Sequence, residues 1–186
     1  MNKNDMLTKM KEQIPSTTVI TEDPTNALVK KFQVQISKLK KDNQISKFTF
    51  YEMYPSDAIP PCMYGMIKAH KPNKQYPMRP VVSTVGTAFH GTSRHLVKLI
   101  QPVLAKSEHY LKNSSSFVTK ASAWTVSVDE IQVSYDVVAL YPSVPIKKAI
   151  DVIMDIVNCN FDLISCNSKL TVDDIRILIQ LCLSKC

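Results

Sequence analysis

Glycine is scarce in this chain, which has only Gly65, Gly86 and Gly91 among its 186 residues. A glycine-rich loop, which would wrap phosphate groups with backbone amides, is therefore excluded. Any phosphate binding must depend on side chains or on a metal ion.

Metal-binding and disulfide spacings are also missing. The five cysteines form no CxxC pair, and the four histidines lack a spacing such as HExxH. We therefore predict reduced thiols and no zinc site.

No stretch approaches the roughly 18 uncharged apolar residues that cross a bilayer, and the N-terminus has no apolar signal region. We expect an intracellular protein without membrane association, with nucleus and cytoplasm both open.

The charge balance is basic. Lys and Arg number 23 against 16 Asp and Glu, which gives a net charge of +7. This excess favours polyanionic partners, although an ordinary soluble domain with a basic surface has the same property. A chain of this length with 45% hydrophobic residues can bury a core as one domain or as two small lobes.

The N-terminal part predicts a flexible lead over residues 1–22 and a helical region over residues 23–60. Asp23 and Pro24 are suited to the start of a helix. The apolar face of this helix is predicted, from residues at helical spacing, to contain Leu28, Phe32, Ile36 and Leu39. The opposite face carries lysines.

Two extended segments, MYGMIKAH and RPVVSTV, enclose a basic loop and predict a β-hairpin. Lys68 and Arg79 lie near the ends of the loop, which also contains Lys71 and Lys74. A guanidinium and an ammonium can hold the oxygens of a nucleoside triphosphate from two directions. A solvated basic loop is the more common explanation of such residues, so the basic hairpin alone is a weak signal of nucleotide binding.

The segment VSYDVVALYPSVP, residues 133–145, places a carboxylate in an apolar run. The stretch IQVSYDVVAL predicts a buried strand, and an unpaired carboxylate there costs several kcal/mol. Asp136 either binds magnesium at the end of the strand or forms a turn or helix cap. Tyr141 either excludes a 2′-hydroxyl beside that site or packs in the core.

A pair of adjacent carboxylates in the segment Val172-Asp173-Asp174 predicts a different structure from that around Asp136. Apolar residues follow it at helical spacing in LTVDDIRILIQLCL, on a face containing Val172, Ile175, Ile179 and Cys182. Thr171 and Asp174 have the spacing of an N-terminal capping box, so we predict a helix start here and not a catalytic site.

Three segments occur in the order PPCMYGMIKAHKPNKQYPMRPVVSTVGT, KSEHYLKNSSSFV and VSYDVVALYPSVP. In content and order they resemble the reverse transcriptases of Penelope-like retroelements, and with the flanking helices the resemblance spans about residues 23–186. There are departures. Ile67 stands where the family usually has Pro, Ala69 stands where it usually has Ile, and LYPSVP replaces the commoner LFTNVP.

The resemblance implies an α/β (α+β) fold, the right-hand arrangement of polymerases. Its parts are a helical N-terminal lead, β-hairpin fingers over residues 61–125, and a partial palm over residues 126–186 whose central strand is flanked by helices. Lys68 and Arg79 match the fingers residues that grip the incoming nucleotide.

In the palm, the resemblance makes Asp136 the first catalytic, magnesium-binding carboxylate and Tyr141 the aromatic that screens the nucleotide sugar. Lys71 and Lys74 would touch backbone phosphates of the template or primer, which are RNA or DNA.

The implied activity is RNA-directed DNA polymerisation by a retrotransposable element, with deoxynucleoside triphosphates as substrates and Mg²⁺ as cofactor. The family's later carboxylate pair does not occur in these 186 residues. We therefore expect a fragment that is inactive alone. The alternative is a non-catalytic, basic nucleic-acid-binding remnant or domesticated module.

Overall fold

The computed structural model describes residues 3–12, 20–69, 76–107, 110–137 and 140–183. Within these ranges the chain is an α+β protein with helices and a two-stranded antiparallel sheet, which confirms the coarse fold class. The arrangement of polymerase fingers and palm stays a prediction. In chain order the elements are α1 (Lys3–Glu12), α2 (Thr25–Lys41), α3 (Lys47–Met53), β1 (Cys62–Ile67), β2 (Met78–Ser83), α4 (His90–Leu104), α5 (Ser114–Ala121), α6 (Leu140–Ser143), α7 (Ile146–Cys159), α8 (Phe161–Ser165) and α9 (Val172–Leu183).

The chain divides into two compact units. The first contains Met1–Asp42 and Ser46–Ser93, and the second contains Asn43–Ile45 and Arg94–Cys186. The boundary at residues 93 and 94 falls inside α4. The division into lead, helical region, fingers and palm is a functional one and stays a prediction.

Helix α2 supplies much of the core of the first unit. Phe32, Ile36 and Leu39 have no solvent exposure, so the apolar face predicted from the sequence is confirmed for these residues. α2 packs against α3. Beyond α3, the Pro55 carbonyl accepts a hydrogen bond from Gln33 Nε2 at 2.9 Å.

The start of α2 is defined by Asp23 and Pro24. The Asp23 carboxylate accepts hydrogen bonds from Thr25 Oγ1 at 2.6 Å and from Thr25 N at 2.9 Å. These bonds, chiefly the one from the Thr25 side chain, hold the pKa of Asp23 below its ordinary value because they favour the ionised form. Asp23 therefore satisfies a backbone N–H at the helix start, as its position predicts.

In the second unit, α7 and α9 pack together around an apolar core. On each helix the buried residues recur at helical spacing, which explains why these segments form helices. For α9, the predicted N-terminal cap and the predicted buried apolar face are both confirmed, except that Val172 is only half-buried. The buried residues are Ile150, Met154 and Val157 of α7 and Ile175, Leu178, Ile179 and Cys182 of α9.

The predicted central strand is wrong for residues 131–137, which form neither helix nor strand. Apolar and polar residues alternate there as in a strand, but a strand forms only when its backbone groups pair with a neighbour. Among the described residues, β1 and β2 pair only with each other. The pattern is therefore present without the ladder that would make it a strand.

Candidate nucleotide-binding hairpin

Strands β1 and β2 form the predicted hairpin. Their register pairs Met66 with Arg79 and Ile67 with Met78. One residue further, Lys68 N donates a hydrogen bond to the Pro77 carbonyl at 3.0 Å. The antiparallel pairing thus continues to Lys68, at the end of the hairpin where the two predicted cations lie.

Alternation along the strands places Lys68 and Arg79 on one face of the hairpin. Residues directly opposite each other share a face, and residues two positions apart share it too. Lys68 lies opposite Pro77, so Arg79 is its diagonal neighbour, at a Cα separation of about 7–8 Å for a regular sheet. The long side chains of the two residues can therefore reach one bound group.

The opposite face of the hairpin packs against α1. Met78 is 1% exposed, and Met10 of α1 lies beside Gly65, which shares this face with Met78. α1 also packs against β2. The packing of this face leaves Arg79 exposed and Lys68 half-buried on the other.

Tyr64 also lies on the cationic face, and sequence reasoning did not single it out. It precedes Lys68 by four strand residues, and its side chain is 48% exposed. The alternation of Tyr64, Met66 and Lys68 is the signal that could have found it. An exposed aromatic beside a guanidinium gives a surface on which a nucleobase can stack.

Asp136 lies in the second unit, in the segment without regular structure, and its side chain is exposed. No group of three or more histidine, cysteine or acidic residues that could hold a metal ion occurs in the described ranges. Two magnesium ions need several oxygen ligands, so a single exposed carboxylate does not fit such a site. Asp136 is therefore a candidate first ligand, and the described residues do not group further ligands into a metal centre.

Three predicted site residues lie wholly or partly outside the described residues. Lys71 and Lys74 belong to the loop over residues 70–75, which is outside the described ranges. Tyr141 lies in α6, but its side chain is outside what the structure describes. The roles of these three residues stay predictions.

Two clefts of about 510 Å³ and 220 Å³ lie elsewhere in the molecule. The larger is formed by residues of α8, the start of α9 and the loop between them, and the smaller by residues 52–58 with residues 86–91. Neither is lined by Lys68, Arg79 or Asp136.

Comparison with known proteins gives no match to a family model, a curated protein or a solved structure. Among the described helices, none has the length and apolar character needed to cross a membrane.

Proposed function

We propose that this chain supplies the nucleotide-gripping hairpin and the first palm carboxylate of a reverse transcriptase. The observation that carries the proposal is the shared face of Lys68 and Arg79 at the end of the hairpin. The order of the three sequence segments supports the same function.

In this proposal the hairpin binds the triphosphate of an incoming deoxynucleotide. Arg79 donates paired hydrogen bonds to phosphate oxygens through its planar guanidinium, and Lys68 adds a mobile point charge beside it. Tyr64 lies on the same face and contacts the base or sugar. These contacts orient the nucleotide and neutralise its charge.

Catalysis requires more than the hairpin. Asp136 supplies one carboxylate, whereas metal-assisted nucleotidyl transfer needs several oxygen ligands. We therefore assign binding to the described residues and assign the chemical step to a palm with carboxylates in addition to Asp136.

Calorimetric titration of the purified chain with dTTP tests the proposal. Arg79→Ala removes charge-assisted hydrogen bonds worth about 1.5–3 kcal/mol, so we expect dTTP affinity to fall about ten- to a hundredfold. The control is Arg94→Ala, which removes the same charge from an exposed position in α4. Equal affinities of the two variants would reject nucleotide binding by the hairpin.

The second candidate is a non-catalytic nucleic-acid-binding module. The net charge of +7 favours it. It predicts no dTTP binding to the unmodified chain, together with salt-dependent binding of RNA or DNA that Asp136→Ala leaves intact. The dTTP titration therefore separates the two candidates.

A further inference from the structure

The solvent-facing side of α2 carries a row of lysines, which we call the α2 lysine face. It consists of Lys30, Lys31, Lys38 and Lys41, and each of these residues is exposed. At 3.6 residues per turn, Lys30 and Lys41 lie opposite the buried Phe32, Ile36 and Leu39. Lys31 and Lys38 lie on the adjoining flank, so the four lysines fall within about 100° of the helix circumference. The packing of the apolar side therefore fixes the direction in which the lysines point.

No acidic residue balances this face from within the helix. The sequence of α2, TNALVKKFQVQISKLKK, contains no Asp or Glu. Within the described residues, none of the four ammonium groups has an ion-pair partner. The face is thus a patch of one sign that is available to an external anion.

A contribution to helix stability explains the positions of only some of these four lysines. Lys38 and Lys41 lie near the C-terminal end of α2, where the helix dipole favours cations. Lys30 and Lys31 lie before the middle of the helix, beyond the reach of that effect. Placing Lys38 and Lys41 three positions apart also brings like charges together, which is unfavourable for an isolated helix.

The length of the face fits an extended polyanion. Lys30 and Lys41 are separated by eleven helical residues, or about 16 Å at 1.5 Å per residue. One strand of a duplex carries roughly five phosphates over that axial length. A small anion would use only one or two of the lysines, whereas a duplex backbone can contact all of them.

The other classes of polyanion fit less well. An amphipathic helix binds a membrane by burying its apolar face in lipid, but the apolar face of α2 is buried in the protein core. Single-stranded nucleic acid is held by grooves with aromatic stacking platforms. The aromatic residue of α2 is Phe32, which has no solvent exposure.

We propose that the α2 lysine face binds the phosphate backbone of a nucleic-acid duplex, independently of base sequence. The inference goes beyond the proposed function because it uses none of the hairpin residues. It would stand even if the hairpin did not bind nucleotides.

Fluorescence anisotropy with a 20-base-pair DNA duplex of mixed sequence tests the inference between 50 and 200 mM salt. The variant Lys31→Gln/Lys38→Gln removes two charges and keeps good helix formers. Each lost phosphate contact should lower the slope of log affinity against log salt by about 0.9, so we expect a decrease of about 1.8. Affinity at 100 mM salt should fall at least tenfold.

The matched control is Lys147→Gln/Lys148→Gln, which removes two exposed lysines from the first turn of α7. We expect its affinity to stay within twofold of that of the unmodified chain and its salt slope to be unchanged. Equal losses in both variants would show a general effect of net charge and overturn the inference. An unchanged slope in the α2 variant would overturn it too.

Two further probes test the class of ligand. A 20-nucleotide single strand and vesicles containing phosphatidylserine should each bind more weakly than the duplex. Tighter binding of either, with the same loss on Lys31→Gln/Lys38→Gln, would overturn the assignment to a duplex. The α2 variant should bind dTTP as the unmodified chain does, so the two proposals can fail separately.

Discussion

Asp174 is a buried carboxylate, 7% exposed, that joins two distant parts of the second unit. Its Oδ2 atom accepts hydrogen bonds from Thr171 N at 3.0 Å and from Thr171 Oγ1 at 2.5 Å. In return, Asp174 N donates to Thr171 Oγ1 at 3.2 Å. Gln44 Nε2 donates to the same carboxylate oxygen at 2.6 Å. One side chain thus caps α9 and holds the loop over residues 43–45.

We predict that Asp174→Ala lowers the free energy of unfolding by about 2–3 kcal/mol. The substitution removes a helix cap, worth about 1 kcal/mol, and leaves the part-buried amide of Gln44 without its acceptor. Urea unfolding followed by circular dichroism measures the loss. The matched control is Asp173→Ala, which removes an exposed carboxylate from the same first turn and should cost less than 1 kcal/mol. Equal losses would contradict the role of the buried network.

The sequence predicts the local contacts of Asp174 but not its distant one. The spacing of Thr171 and Asp174 predicts the capping box, because a cap joins residues within one helical turn. The contact of Gln44 with Asp174 spans 130 positions, and no periodicity reports it. The structure thus confirms the predicted role of Asp174 in capping α9.

Among the elements, the hairpin and the principal helices could be predicted because their signals are local. Turn residues flank β1 and β2, and the buried faces of α2 and α9 repeat at helical spacing. The failed element is the strand over residues 131–137. Its alternating pattern is clear, but pairing depends on a partner that the pattern does not specify.

The candidate site follows the same rule. The shared face of Lys68 and Arg79 could be derived from the alternation of two strands once the hairpin was predicted. The surroundings of Asp136 could not be derived, because its environment depends on residues outside its own segment. The sequence therefore predicts the hairpin part of the site better than the carboxylate part.

Gly91, in the first turn of α4, marks a close contact between two helices. A Cβ atom at this position would collide with the backbone carbonyl of Glu52 in α3. We predict that Gly91→Ala lowers the free energy of unfolding by about 1–3 kcal/mol, because the backbone has to move to relieve the collision. The higher helix propensity of alanine, up to about 1 kcal/mol, offsets part of this loss. Thermal unfolding and urea unfolding both measure it.

The control for this prediction is Gly65→Ala in β1. A Cβ atom there would meet the terminal methyl group of Met78, a flexible side chain that can rotate away. We expect a change of less than about 1 kcal/mol, since alanine also suits a strand better than glycine does. If Gly65→Ala were as destabilising as Gly91→Ala, the backbone contact between α3 and α4 would not be the cause.

The segment over residues 126–137 is exposed and has the alternating pattern of a strand. Ile131 is 85% exposed, Val133 is 59% exposed and Tyr135 is 91% exposed, and they alternate with polar residues. A segment that has this alternation, one apolar side and no strand partner among the described residues is a template for pairing between chains. Because of this exposed apolar side, we predict that the protein self-associates and that the association increases with concentration.

We predict that Ile131→Lys/Val133→Lys reduces this association and leaves the melting temperature within about 2 °C, because both side chains are exposed. Sedimentation velocity over a range of concentrations measures the association, and a thermal melt measures stability. The matched control is Val97→Lys/Val152→Lys, which adds the same two charges at helical positions that are 59% and 57% exposed. If both variants reduce association equally, repulsion by net charge is the cause. If neither does, residues 126–137 do not pair between chains.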